Sequence, residues 1–169
     1  MSESTNVKIL PPGQDKPATT VLEALKYGRK VLEDEGRWCE GSWYEIEDPD
    51  VDPDTPFCDS WKVCSEGAVA LAIYGAQRHK HDREWNVLND LGPKDAELWD
   101  YIPTDDELAL YELTKEALVD AGKELFKEYD GGYVLDFTRA NQINDEIIKS
   151  RADVLEWFDK AIEGEQTNA

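Results

Sequence analysis

The chain has 169 residues, 40% of them hydrophobic, with 38 Asp plus Glu against 18 Lys plus Arg and a formal net charge of −20. That is enough apolar material for one packed domain. The charge argues against direct binding to nucleic acid or an anionic lipid surface and favours basic partners and cations.

Residues 1–17 contain Pro11, Pro12, Gly13 and Pro17 and no amphipathic periodicity, so they read as a flexible N-terminal arm. The N-terminus lacks the basic and apolar regions of a signal peptide, and no apolar run approaches the ~20 residues of a membrane span. Thr20-Val-Leu-Glu23 is a capping box, predicting a first helix near 20–35. Val21, Leu25, Gly28 and Leu32 share one face of it, widened by Leu22 and Val31, and Gly36 is its stop.

A long acidic, proline-rich loop is expected next. Between Trp38 and Trp61 lie Glu40, Glu45, Glu47, Asp48, Asp50, Asp52, Asp54 and Asp59, with no Lys or Arg, and Pro49, Pro53 and Pro56 oppose regular structure. The nearly all-apolar run from Cys64 predicts a central buried helix near 64–76. Thr104-Asp-Asp-Glu107 is a second capping box, opening a helix near 105–129 whose stripe is Leu110, Leu113, Ala117, Leu118, Ala121, Leu125 and Tyr129. Tyr133–Phe137 is compatible with a brief extended piece. Ser150-Arg-Ala-Asp153 opens a last helix near 151–163, with Val154, Leu155, Phe158, Ala161 and Ile162 as its stripe. The expected fold is therefore all-α: one compact domain over 18–163, four main helices, and a flexible tail over 164–169. Leu25, Leu71, Leu118, Leu125, Leu155 and Phe158 are its expected core.

Gly36-Arg-Trp38-Cys-Glu-Gly41, then Cys64-Ser-Glu-Gly67-Ala68, then Asn144-Asp145 before Val154-Leu155 and Phe158 make an ordered set. The set resembles an uncharacterised family of small actinobacterial and actinophage proteins. Typical members carry Gly-Trp-x-x-Gly, Cys-Ala-x-Gly-Ala-Leu and Trp-Asn-Asp before a closing Glu-Val-Leu helix. The resemblance covers roughly residues 20–42, 62–76 and 140–162; Ile143, Ser65 and Glu66 depart from the pattern, and the segment between Tyr74 and Asp136 is longer. It implies a helical fold, a phage or actinobacterial source, and no particular reaction. Trp38, Gly41, Cys64, Gly67, Ala68, Asn144 and Asp145 are its motif residues here, expected to be structural.

Three chemistries compete for the rest. An EF-hand reading from Asp48 fails, because positions six and twelve hold Pro53 and Asp59 where Gly and Glu are needed. Cys39, Cys58 and Cys64 with His79 or His81 have no zinc-ribbon or finger spacing, although a metal-binding or hydrolytic enzyme on these residues is the rival class. An odd number of cysteines fits a reducing compartment better than a disulfide framework, hence a cytoplasm, which is that of the bacterial host if the source is the phage that the resemblance implies. No Walker loop or dinucleotide fingerprint is present, and no cofactor or metal is expected.

The reading that remains is a non-enzymatic interaction module that binds or inhibits a basic partner protein, with DNA mimicry as a variant. Its candidate contact residues are Trp43, Glu45, Glu47, Asp48, Asp50, Asp52, Asp54 and Trp61, aromatic anchors within an acidic rim. The same aromatic rings are equally suited to pinning the loop onto the core.

Overall fold

The computed structural model describes residues 10–11, 13–34, 36–41, 44–46, 61–75 and 104–168. Their order is α1 (Val21–Glu33), β1 (Tyr44–Ile46), β2 (Trp61–Val63), α2 (Ser65–Tyr74), α3 (Asp105–Leu125), a 3-10 segment (Tyr129–Asp136), α4 (Ala140–Glu146) and α5 (Arg151–Thr167). The domain is all-α as expected, apart from a three-residue antiparallel pairing of β1 with β2 in place of uninterrupted loop.

The helix starts follow their caps. At α3 the box closes both ways: the Glu107 amide donates to Thr104 Oγ1 at 3.2 Å, and the Thr104 amide donates to Glu107 Oε1 at 3.1 Å. At α1 and α5 the hydroxyl half forms, with the Glu23 amide donating to Thr20 at 3.1 Å and the Asp153 amide to Ser150 at 3.2 Å. The acid of the α5 box instead accepts from the Lys149 amide.

Helix α2 is the hub. Every residue from Gly67 to Tyr74 is buried, so the helix has no solvent face to encode in its sequence. It packs against α1, α3 and α4, while α5 covers α1 and α3. Gly28 lets α1 lie close to α2 and α5: a Cβ there would lie 3.4 Å from the Ala68 backbone and 3.2 Å from Phe158. Between the helices lie Leu25, Leu32, Leu71, Leu118, Trp157 and Phe158, all fully buried. Arg29 on α1 reaches Asp159 on α5, with Nη2 3.1 Å from Oδ2, and stitches the two helices on the outside.

Several expectations are corrected. The buried face of α3 is Tyr111, Thr114, Leu118, Ala121 and Gly122, whereas Leu113 and Tyr129 are 54% and 45% exposed. Tyr111 wins the core because it packs on Tyr74, the rings tilted at 39° with centroids 5.7 Å apart, and buried Thr114 satisfies its hydroxyl on the Leu110 carbonyl at 2.7 Å. Leu125 and Leu155 are only partly buried. Helix α3 ends at Leu125, and Tyr133–Phe137 is not extended, since the 3-10 segment runs to Asp136 with Gly131 and Gly132 at positive φ. Helix α5 runs past 163 to Thr167. Residues 13–19, mostly within the expected arm, lie along α2: the Ala18 amide and Gln14 Nε2 both donate to the Ala72 carbonyl, at 2.8 and 2.7 Å.

Candidate functional site

The motif residues converge where the two stems of the acidic segment meet α2 and α4. Gly36, at φ +80, turns the chain out of α1. Arg37 follows, buried, with its Nε 3.4 Å from Asp34. Trp38 then pairs in parallel with Val63. The Val63 amide donates to the Arg37 carbonyl at 2.6 Å, and the Cys39 amide donates to the Val63 carbonyl at 3.0 Å. On the other side Val63 pairs with Tyr44 of β1, Lys62 faces Glu45, and Trp61 faces Ile46. The sequence signal for this pairing is weak because each strand is three residues long.

Asn144 locks the junction. It is fully buried on α4. Its Oδ1 accepts from the Trp38 indole Nε1 at 2.9 Å and from the Ser65 amide at 3.1 Å. Its Nδ2 donates to the Cys39 carbonyl at 3.2 Å and to Asp145 Oδ1 at 2.9 Å. A side-chain amide offers two acceptor and two donor positions, so all four are used within the protein. Asp145 Oδ1 also accepts from the Gly41 amide at 2.9 Å, and Glu66 Oε1 accepts from the Asn141 amide at 3.3 Å.

The start of α2 is closed in the same way. The thiol of Cys64 is its cap, accepting from the Gly67 amide at 3.4 Å, and Gly67 and Ala68 are buried behind it. Ala68 is the backbone that Gly28 approaches. The amides that would bind an anion at a helix N-terminus are thus turned to internal acceptors.

Burial, and then the nearby Glu66 carboxylate, push the Cys64 thiol well above its ordinary value of about 9. At neutral pH it is therefore protonated and is not a thiolate nucleophile. The linkage has a definite sign. A thiol whose folded value lies above its unfolded value contributes stability below the unfolded value and loses it as pH rises through the folded value. Urea midpoints measured across alkaline pH are expected to fall more steeply in the wild type than in Cys64→Ala once pH passes about 9.

The structure thus brings together Trp38, Gly41, Cys64, Asn144 and Asp145, with Gly67 and Ala68 just behind. Of the expected contact residues, Trp43, Glu47, Asp48, Asp50, Asp52 and Asp54 lie outside the described residues, and Glu45 and Trp61 are described in backbone only, on β1 and β2. Cys58, His79 and His81 also lie outside them. Among the described residues, no group of three or more His, Cys, Asp or Glu is arranged to hold a metal ion, and no helix is long and apolar enough to cross a membrane. Residue-by-residue reading missed the role of Ser65 and of Gln142, whose Oε1 accepts from the Thr138 and Arg139 amides and starts α4. The signal for Gln142 was its place three residues after Arg139, the acceptor half of a capping box without the hydroxyl.

Comparison with curated proteins and with solved structures returned no match. A family model covers residues 16–164, nearly the whole chain, and the protein belongs to the family of unknown function that it describes, DUF6197.

Proposed function

We propose that this protein is a non-enzymatic interaction module whose acidic surface binds, and blocks, a basic partner protein in a bacterial cytoplasm. The source in an actinophage or its host, implied by the motif resemblance, is part of the same proposal. The observation that carries it is the commitment of Asn144: all four hydrogen-bonding positions of the buried motif amide are filled within the protein, three of them by Trp38, Cys39 and Ser65 at the two ends of the acidic segment and the fourth by Asp145. A catalytic amide keeps a position for substrate, whereas an amide saturated internally is a clamp. Between the two ends that the clamp joins, the sequence carries eight carboxylates and no basic residue from Trp38 to Trp61.

A second acidic surface supports the same reading. On α3, Glu112, Glu116, Asp120 and Glu124 recur at four-residue spacing and are all exposed, and Glu128 continues the row. Like charges at this spacing destabilise a helix by about 0.2–0.5 kcal/mol per pair. Lys115 and Lys127 relieve part of it, 3.0 Å from Glu112 and 3.5 Å from Glu124. A basic partner would relieve the rest. The protonated state of Cys64 withdraws support from the rival reading of a thiolate hydrolase.

The test is kinetic. With the protein immobilised and a captured basic partner purified, association should slow steeply as salt rises, because exposed charges are screened over about 10 Å at 0.1 M ionic strength. Combining Glu47→Gln, Asp48→Asn, Asp50→Asn and Asp52→Asn should slow association about tenfold or more with a smaller change in dissociation, since charge acts mainly on encounter. Changing Glu112, Glu116, Asp120 and Glu124 to Gln or Asn reports on α3 in the same assay. Binding that ignores salt and both variants contradicts the proposal. Displacement of the partner by duplex DNA selects the mimicry variant.

A further inference from the structure

We propose that Cys39 and Cys64 form a redox-active dithiol that closes to a disulfide across the stem of the acidic segment, with a small disulfide as its oxidant. Neither is in a disulfide, and both are buried, at 7% and 4% exposure. They come from segments separated by the whole of residues 40–63, yet the backbone sets them side by side. Trp38 is paired in parallel with Val63, and the Cys39 amide bonds the Val63 carbonyl. Cys64 remains extended at φ −80 and ψ −179 one residue past Val63, as Cys39 lies one residue past Trp38, and beyond them the Asn144 amide bridges the Cys39 carbonyl and the Ser65 amide in place of a direct ladder bond. Neighbouring strands lie about 4.7–4.9 Å apart. That is within the 4.4–6.8 Å between Cα atoms that a disulfide spans. Direct neighbours in a parallel ladder also direct their side chains to the same face. The two groups feel each other electrostatically, Cys39 adding to the upward push on Cys64. The inference is independent of whether the acidic segment binds a partner.

The chemistry balances as two exchanges. The Cys39 thiol loses its proton and its sulfur attacks one sulfur of the small disulfide, breaking that bond and releasing one small thiolate. The Cys64 thiol then loses its proton, and its sulfur attacks the mixed disulfide at the Cys39 sulfur and expels the second thiolate. The two protons leave with the two small thiols. The protein is oxidised by two electrons, and the small disulfide is reduced by two. Cys39 goes first because burial and the Glu66 carboxylate hold Cys64 protonated. Burial makes the native reaction slow and gated by opening of the Asn144 clamp.

The test uses the full chain carrying Cys58→Ser, exposed to oxidised glutathione as the small disulfide, with free thiols and intact mass followed over time. The expected product is lighter by two hydrogen atoms, retains no glutathione, and yields a Cys39–Cys64 linked peptide. Its Tm should be several degrees higher, as expected for a strain-free closure of a loop of this length, and a dithiol reductant should restore the starting value. Trp38→Phe, which loosens the clamp but keeps the ring, should speed oxidation severalfold. The urea-unfolded chain under the same oxidant is the control for reagent activity. Retained mixed disulfide at either cysteine, thiols that survive folded while the unfolded control is consumed, or a disulfide that lowers Tm would each overturn the proposal.

Discussion

Replacing Trp157 with Ala is expected to cost about 3–5 kcal/mol, a large part of the stability of a domain this size. Trp157 is among the largest fully buried side chains, and its ring meets Phe158 edge-on at 6.1 Å. Its indole Nε1 donates to the Leu118 carbonyl of α3 at 2.7 Å, so one side chain ties α5 to α3 through both packing and a hydrogen bond. A Cβ on Gly122 would lie 2.5 Å from Ile143 Cδ1 and 3.1 Å from the Trp157 Nε1, so a glycine leaves room on α3 for both side chains. Trp157→Phe keeps most of the ring and removes the donor, and should lose about 1–2 kcal/mol. Urea denaturation of both variants checks this. A loss below about 1 kcal/mol for Trp157→Ala would mean that α5 does not pack on α3 through this face.

The second large effect is expected at Asn144. Asn144→Ala strips the Trp38 indole and the Ser65 amide of their acceptor and the Cys39 carbonyl of a donor. An unsatisfied buried polar group costs about 1–3 kcal/mol, and the losses are not additive, so a total of about 2–5 kcal/mol is expected. The loss should appear as a lower urea midpoint, with faster amide hydrogen exchange at Cys39 and Val63, whose ladder bond the clamp supports. Unchanged exchange at these amides would show that the parallel pairing stands without Asn144.

Chemistry along the chain was more legible than geometry across it. The Thr104 box marks the start of α3 because hydroxyl and carboxylate at that spacing satisfy amides locally. Helix α2 was legible because a run without polar residues has only the interior to occupy. Leu118 and Phe158 were legible as core from the helical spacing of the apolar residues around them. The phase of α3 was not, because Leu108, Leu110, Tyr111, Leu113 and Leu118 surround the axis so broadly that only Tyr74 on another helix decides which side faces inward. Trp157 was passed over for Leu155, although it stands three residues after Val154, on the inward side. Helix α4, seven residues with Ile143 as its single large apolar side chain, has too little periodicity to be detected. The clamp was hidden for a deeper reason. Its partners, Trp38, Cys39, Ser65 and Asn144, lie on three distant segments, and nothing local in a lone Asn announces four long-range or neighbouring bonds. Only the resemblance set Trp38, Cys64 and Asn144 side by side, and the structure supplies the physical reason for it.

The central claim is that these motif residues hold the stems of the acidic segment by bonding one another. The most direct measurement is a double-mutant cycle on the longest-range bond of the clamp, from Trp38 Nε1 to Asn144 Oδ1 at 2.9 Å. Trp38→Phe, Asn144→Ala and the combined variant are compared with the wild type by urea denaturation. The account predicts a coupling energy of about 1–2 kcal/mol, because once Asn144 is gone the loss of the indole N–H removes an unpaired donor instead of a bond. Strictly additive losses would contradict it, leaving Trp38 and Asn144 energetically independent and the clamp without its keystone bond.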